Sequence, residues 1–145
     1  MKQIAVLGAT GSIGTSCLEV ISRHKDRMKL VAITAHRNWE HLAQLSRQFD
    51  PLWSVISDES LRERVSRTAF SPKTKLLFGA KGIERVASDP DIEFVMSGIV
   101  GAAGLRGTWA ALEAGKTIGI ANKETLVMAG GLVMETARRT GARLI

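Results

Sequence analysis

The strongest constraint on this chain lies in its first fourteen residues. A short apolar run, Ile4-Ala5-Val6-Leu7, leads directly into Gly8-Ala9-Thr10-Gly11-Ser12-Ile13-Gly14, and an amphipathic stretch carrying Cys17, Leu18 and Ile21 follows at once. Strand, glycine-rich turn and helix in that order form a cradle for phosphate. Glycines let the backbone turn sharply and approach an anion closely. The helix start then offers free N–H groups and the positive end of its dipole. This is the nucleotide-binding opening of a doubly wound α/β fold.

The rest of the chain repeats the alternation. Strands are expected at Lys29–Thr34, Trp53–Ile56, Lys75–Phe78, Asp91–Met96, Lys116–Ile120 and from Ala142. Helices are expected from an Asn38 N-cap to Asp50-Pro51, over Asp58–Thr68 with Leu61 and Val65 facing inward, over Gly82–Ala87, through Trp109–Leu112, and over Glu124–Thr140. Repeated β–α units imply an α/β, Rossmann-like, mostly parallel sheet with helices on both faces. The whole span, 1–145, reads as one nucleotide-binding domain. It stops inside an apolar strand directly after Gly141, and this suggests a piece of a longer protein.

Composition narrows the function classes. An apolar fraction of 45% in 145 residues is that of a folded domain. No apolar run is long enough for a membrane span, and Met1 leaves no room for a signal peptide before the first strand, so a cytoplasmic location is expected. One cysteine permits no internal disulfide. The net charge of +6 would attract phosphates of any kind, but the basic residues are scattered, there is no Tyr, and none is interleaved with stacking aromatics. The expected partner is an anionic small molecule rather than nucleic acid.

The first glycine motif, G-x-x-G-x-x-G, should present backbone N–H groups of Thr10, Gly11, Ser12 and Ile13 to a pyrophosphate. The second strand selects the dinucleotide. An NAD site places an acidic residue about 20 residues past the glycines, yet no acid occurs between Asp26 and Glu40, and the strand runs into Ala35-His36-Arg37-Asn38. A guanidinium there suits a 2′-phosphate, so NADPH is the expected cofactor, with Arg37 as clamp and Asn38 beside it. The competing reading makes Arg37 a solvated loop residue and Asn38 only a helix cap. A second cluster, Gly98-Ile99-Val100-Gly101-Ala102-Ala103-Gly104, follows another strand and either approaches the cofactor or serves close packing alone. A third, Ala121-Asn122-Lys123-Glu124, lies at a strand end and suits a polar ligand; alternatively, Glu124 complements the helix dipole and Lys123 is solvated.

Other chemistries fit poorly. Short-chain dehydrogenases need a tyrosine, absent here. Cys17 lies in the helix after the glycine loop, misplaced for the nucleophile of an aspartate-semialdehyde dehydrogenase. His24, His36 and His41 have no metal-ligand spacing, and no metal site is expected within the chain.

Together, the glycine loop, Arg37-Asn38, Ile99-Val100-Gly101-Ala102-Ala103-Gly104 and Ala121-Asn122-Lys123-Glu124 resemble the N-terminal half of the 1-deoxy-D-xylulose 5-phosphate reductoisomerase family, over the whole chain. The resemblance implies an NADPH- and divalent-metal-dependent enzyme of non-mevalonate isoprenoid synthesis, which converts 1-deoxy-D-xylulose 5-phosphate to 2-C-methyl-D-erythritol 4-phosphate. It implies cofactor contacts at Thr10, Gly11, Ser12, Ile13, Ala35, Arg37, Asn38, Asn122 and Glu124, and a substrate contact at Lys123. Ala35 stands where many members carry Gly. The Mg²⁺ or Mn²⁺ ligands, the substrate-phosphate site and most of a homodimer interface would lie past residue 145. On this reading the catalytic and C-terminal domains are absent, no catalytic residue is assigned to the chain, and it is inactive alone. A non-catalytic NADP-sensing domain is the alternative, and it leaves Asn122-Lys123-Glu124 without a role.

Overall fold

The computed structural model describes residues 1–100, 103–121 and 123–145, with the side chains of 123–126, 128 and 129 outside the description. Strands are β1 (Lys2–Leu7), β2 (Met28–Ala35), β3 (Trp53–Ile56), β4 (Lys75–Phe78), β5 (Phe94–Ser97), β6 (Thr117–Ile120) and β7 (Arg143–Leu144). Helices are α1 (Ser12–Arg23), α2 (Trp39–Phe49), α3 (Gly79–Ala87), α4 (Ala103–Glu113) and α5 (Lys123–Thr140).

The strands form one sheet in the order β4-β3-β2-β1-β5-β6-β7, and every pairing is parallel. This is the doubly wound architecture expected from the sequence. Successive side chains of a strand point to opposite faces, so β1 feeds two cores. Ile4 and Val6 pack with Leu18 and Ile21 of α1 and Leu42 of α2. Ala5 and Leu7 pack with Val86 of α3, Leu112 of α4 and Val133 of α5. A central strand covered on both faces has no polar side to keep, which explains the unbroken run Ile4–Leu7. Each fully buried aliphatic such as Leu7, Ile33 or Leu112 contributes roughly 1.5–3 kcal/mol through the hydrophobic effect.

Local chemistry sets the element ends. The Asn38 side chain accepts the His41 N–H at 3.3 Å and starts α2 as expected. Asp50 stops it in a left-handed conformation (φ 49°), and its carboxylate accepts the Ser71 hydroxyl at 2.5 Å.

The expected helix over Asp58–Thr68 does not form. The segment makes two 3-10 turns, Glu59–Leu61 and Arg67–Ala69. Asp58 takes the Ser60 N–H at 3.0 Å and its hydroxyl at 2.6 Å, and the Ser66 and Thr68 hydroxyls bond each other at 3.0 Å. Such short polar side chains give local partners that compete with helix hydrogen bonds. Leu61 is still buried, as expected, while Val65 is half-buried. β5 also starts three residues later than expected, because Asp89 holds Asp91 and Ile92 in a turn: its carboxylate accepts the Asp91 N–H at 2.9 Å and its carbonyl the Ile92 N–H at 3.0 Å.

The strand order proceeds outward from β1 through β2 to β4 on one side and from β5 to β7 on the other. The β1/β5 junction is therefore the topological switch point, where the carboxyl ends of the strands leave a crevice.

Candidate nucleotide-binding site

A cleft of about 740 Å³ opens at that junction. Its first wall is the turn after β1. Gly8 adopts φ +78°, a conformation that costs side-chain-bearing residues but not glycine. Its N–H donates to Thr34 Oγ1 at 2.9 Å, and the Ala9 N–H donates to the Thr34 carbonyl at 2.8 Å. The buried Thr34 of β2 thus fixes both residues of the turn.

The motif's glycines have different tasks. A Cβ on Gly14 would lie 2.2 Å from the Gly8 carbonyl oxygen and 2.6 Å from Ala9 Cα. Gly14 is required by the protein itself, because α1 rests directly on the turn. Gly11 is under no such demand: it is extended (φ −83°, ψ 176°), and the nearest atom to a Cβ there would be 3.6 Å away. What Gly11 leaves is open space above the start of α1. That start has no side-chain cap and no acidic residue in its first turn. First-turn N–H groups have no partner within a helix, so the donors and dipole remain available to an anion.

Of the four expected loop contacts, Thr10 and Gly11 line the cleft. Ser12 is exposed at the first turn of α1. Ile13, also exposed, forms part of a shallow apolar groove with Cys17, Val20 and Met96. Burial pushes the Cys17 thiol up, which disfavours the reactive thiolate.

The second wall comes from the ends of β2 and β3, which run in register as far as Ala35 and Ile56. Ala35 is buried and its carbonyl accepts the Ser57 N–H at 2.9 Å. The next residue, His36, stands exposed in the cleft, its Nδ1 2.9 Å from Ser57 Oγ. Arg37 is exposed and forms an ion pair with Asp58. The Ser60 hydroxyl, and with it the Ser60 N–H and the Arg37 guanidinium, holds the Asp58 carboxyl below its usual range despite some burial. The amide oxygen of Asn38 is committed to capping α2. The sequence has no acid between Asp26 and Glu40, but the fold brings one to Arg37 from the end of β3. His36, Ser57 and Asp58 were not legible as a group, because only the pairing of β2 with β3 assembles them.

The third wall follows β5. Gly98, Ile99 and Val100 line the cleft, together with Ala80 and Ile83 of α3 and Ala103 and Arg106 of α4. Gly98, Ile99, Val100 and Ala103 of the second glycine cluster thus border the cleft, and Gly98 is also closely packed, since a Cβ there would lie 2.9 Å from the Leu7 carbonyl oxygen; Gly101 and Ala102 lie outside the described residues. A buried hydroxyl pair, Ser97 Oγ and Thr108 Oγ1 at 2.8 Å, ties α4 to the end of β5. Arg106 Nε donates to Glu84 Oε1 of α3 at 2.5 Å.

The third cluster is reached only in part. Asn122 lies outside the described residues, as do the side chains of Lys123 and Glu124; the backbone places 123 and 124 at the start of α5, which follows β6 at the carboxyl end of the sheet. Among the described residues no three His, Cys, Asp or Glu side chains converge to hold a metal ion, and no helix is long and apolar enough to cross a membrane.

Comparison with known proteins agrees with this geometry. A sequence model described as 1-deoxy-D-xylulose 5-phosphate reductoisomerase matches residues 4–130. The chain is 44% identical over 145 residues to the 1-deoxy-D-xylulose 5-phosphate reductoisomerase of Bacillus cereus (strain Q1), covering all of this chain and 38% of that protein. It is 40% identical over 149 residues to that of Nitrosospira multiformis, covering 37% of it. Among solved structures, the reductoisomerase from Zymomonas mobilis in complex with NADPH superposes with a TM-score of 0.92 at 39% identity, over 99% of this chain and 38% of that one. A DOX-P reductoisomerase in complex with NADPH, fosmidomycin and magnesium gives 0.90 at 41% identity, over 99% of this chain and 36% of that one. A homoserine dehydrogenase from Thiobacillus denitrificans, 19% identical with a TM-score of 0.68, shares the fold alone. The chain spans less than two-fifths of the length of these reductoisomerases. With the family match running from β1 well into α5, the chain belongs to the 1-deoxy-D-xylulose 5-phosphate reductoisomerase family.

Proposed function

We propose that this chain is the NADPH-binding part of a longer reductoisomerase that converts 1-deoxy-D-xylulose 5-phosphate to 2-C-methyl-D-erythritol 4-phosphate in non-mevalonate isoprenoid synthesis. The observation that carries this reading is the uncapped start of α1 beneath the open side of Gly11, at the edge of the switch-point cleft. A pyrophosphate fits such a cradle by charge and by shape.

Backbone N–H groups at Thr10, Ser12 and Ile13 would hold the pyrophosphate, while Gly11, whose N–H donates to the Gly8 carbonyl at 3.2 Å, would let it approach. Arg37, braced by Asp58, would meet the 2′-phosphate, with Asn38 beside it and Ala35 contributing backbone on the adenosine side. Asn122 and Glu124 would touch the cofactor, and Lys123 the sugar-phosphate substrate. When bound, NADPH supplies the hydride. This chain's task is to hold that donor in one place, since hydride transfer depends on fixed distance and orientation. Rearranging a hydroxyketone also needs a Lewis acid to polarise its carbonyl. On this reading Mg²⁺ or Mn²⁺ would be held by parts of the complete protein beyond this chain. The complete protein would act as a cytoplasmic homodimer that engages neither nucleic acid nor membrane.

The test is NADPH oxidation driven by 1-deoxy-D-xylulose 5-phosphate with Mn²⁺. A complete protein carrying this sequence should turn over and the 145-residue chain alone should not; turnover by the isolated chain would contradict the division of labour. Lys123→Ala in the complete protein should raise KM or lower kcat while leaving NADPH affinity within about twofold, as expected for a residue that touches substrate but not cofactor.

A further inference from the structure

The polar equipment of the cleft is uneven. Around the β1 turn it offers backbone donors. Around α3 and α4 the lining is Ala80, Ile83, Ile99, Val100 and Ala103, with the cation Arg106 beside them. An apolar lining of this kind gives a phosphate nothing to replace its hydration, whereas a flat heteroaromatic ring loses little by entering it.

Arg106 is not presented as a bare charge. Its Nε donates to Glu84 Oε1 at 2.5 Å, from α4 to α3. The bond to Glu84 occupies one edge of the guanidinium and fixes its plane. A bond along one edge does not itself cover the two faces of such a plane, and guanidinium faces stack on aromatic rings. In the same cleft, the His36 ring is held by Ser57 at 2.9 Å. The cleft thus carries two planar groups, each pinned by a neighbour, and an apolar lining between β5 and α3.

We propose that Arg106 is a base-stacking residue: its guanidinium, positioned by Glu84, lies against the face of the purine of the bound dinucleotide. The proposal rests on the NADPH reading and adds a determinant outside the glycine loop and the Arg37-Asn38 pair. Glu84 is a positioning residue that acts through Arg106.

The test compares two ligands by the fluorescence of their reduced nicotinamide: NADPH, and reduced nicotinamide mononucleotide, which lacks the adenosine half. Proteins are the unaltered chain, Arg106→Ala, Arg106→Lys and Glu84→Gln, each checked for folding by circular dichroism. Arg106→Ala should weaken NADPH by about threefold to thirtyfold, the range for a lost cation–π contact, and leave the mononucleotide unchanged. Arg106→Lys should stay within about twofold of Arg106→Ala, because charge without the plane does not replace the stack. Glu84→Gln should show the same ligand pattern with a smaller loss.

Unaltered NADPH affinity in Arg106→Ala would overturn the proposal. Full rescue by Lys, or an equal loss on the mononucleotide, would do so as well, by making Arg106 a simple charge or a general structural element. If the unaltered, folded chain binds neither ligand, the cofactor reading itself is wrong and this inference falls with it. NADPH binding that is indifferent to Arg106 overturns only the inference.

Discussion

Arg37 and Asp58, from the ends of the neighbouring strands β2 and β3, form an ion pair beside the cleft. A carboxylate near this place in a dinucleotide fold commonly takes the ribose 2′-hydroxyl. Here the carboxylate is committed to the Arg37 guanidinium and to the Ser60 N–H and hydroxyl. What the site turns outward is a braced cation, and a braced cation favours the dinucleotide that carries an extra phosphate. Arg37→Ala should therefore weaken NADPH by roughly tenfold to a hundredfold, the range for losing charged hydrogen bonds, and change NADH by less than about threefold. Paired titrations with the two dinucleotides check this; equal losses on both would remove Arg37 from 2′-phosphate recognition.

The glycines of the first turn separate stability from binding. Gly14→Ala would drive a Cβ into the Gly8 carbonyl and Ala9 Cα, backbone atoms that cannot move aside cheaply. It should cost about 3 kcal/mol or more, read as a large fall in Tm. Gly11→Ala meets nothing closer than 3.6 Å and should leave Tm unchanged or slightly higher. Its methyl group would occupy the space assigned to the pyrophosphate, so NADPH affinity should fall at least tenfold in a fully folded protein. A Gly11→Ala chain that binds normally would show that the cradle is not used.

The hydroxyl pair Ser97–Thr108 offers a test of how α4 is held. Thr108→Val preserves shape and removes one partner, leaving Ser97 Oγ buried without its bond. Such an unsatisfied group costs about 1–3 kcal/mol, measurable by urea denaturation; an unchanged midpoint would show that the pair does not fasten the helix.

Acid should act through Asp89 at the opposite end of the sheet. Burial pushes its carboxyl up, but the Asp91 N–H and the Arg85 guanidinium outweigh burial and bring it below the ordinary carboxylate value. A carboxyl lowered on folding contributes stability that is present above its unfolded value and lost as pH falls through its folded value. Asp89→Asn should thus be destabilised by about 1–3 kcal/mol at pH 7, and the gap to the unaltered chain should close below about pH 4. Thermal melts across pH 2.5–7 give the comparison; a pH-independent gap would mean the charge of Asp89 does not matter.

Much of this architecture was legible in the sequence. The β1 turn and α1 were plain because an apolar run, two sterically required glycines and an amphipathic stretch all agree. Asn38 and Asp50 marked the ends of α2 because capping is local chemistry. The segment after Asp58 misled, since Leu61 and Val65 have helical spacing while Asp58, Ser60, Ser66 and Thr68 prefer partners within reach of their own backbone. The site was legible only along the chain. Arg37 could be read, but Asp58, 21 residues later, meets it only because β2 pairs with β3. Ala35 lines the cleft, its carbonyl serving the Ser57 N–H, and His36 is the first side chain of that strand end to stand exposed there. Arg106 carried no signal before the packing of α4 on α3 placed it beside Glu84.

The central claim is that this chain itself grips NADPH. Fluorescence titration of the folded 145-residue chain at low salt tests it most directly. The expected result is saturable binding of NADPH, at least tenfold tighter than NADH. A folded chain that shows no saturable response, or that binds the two dinucleotides equally, would contradict it.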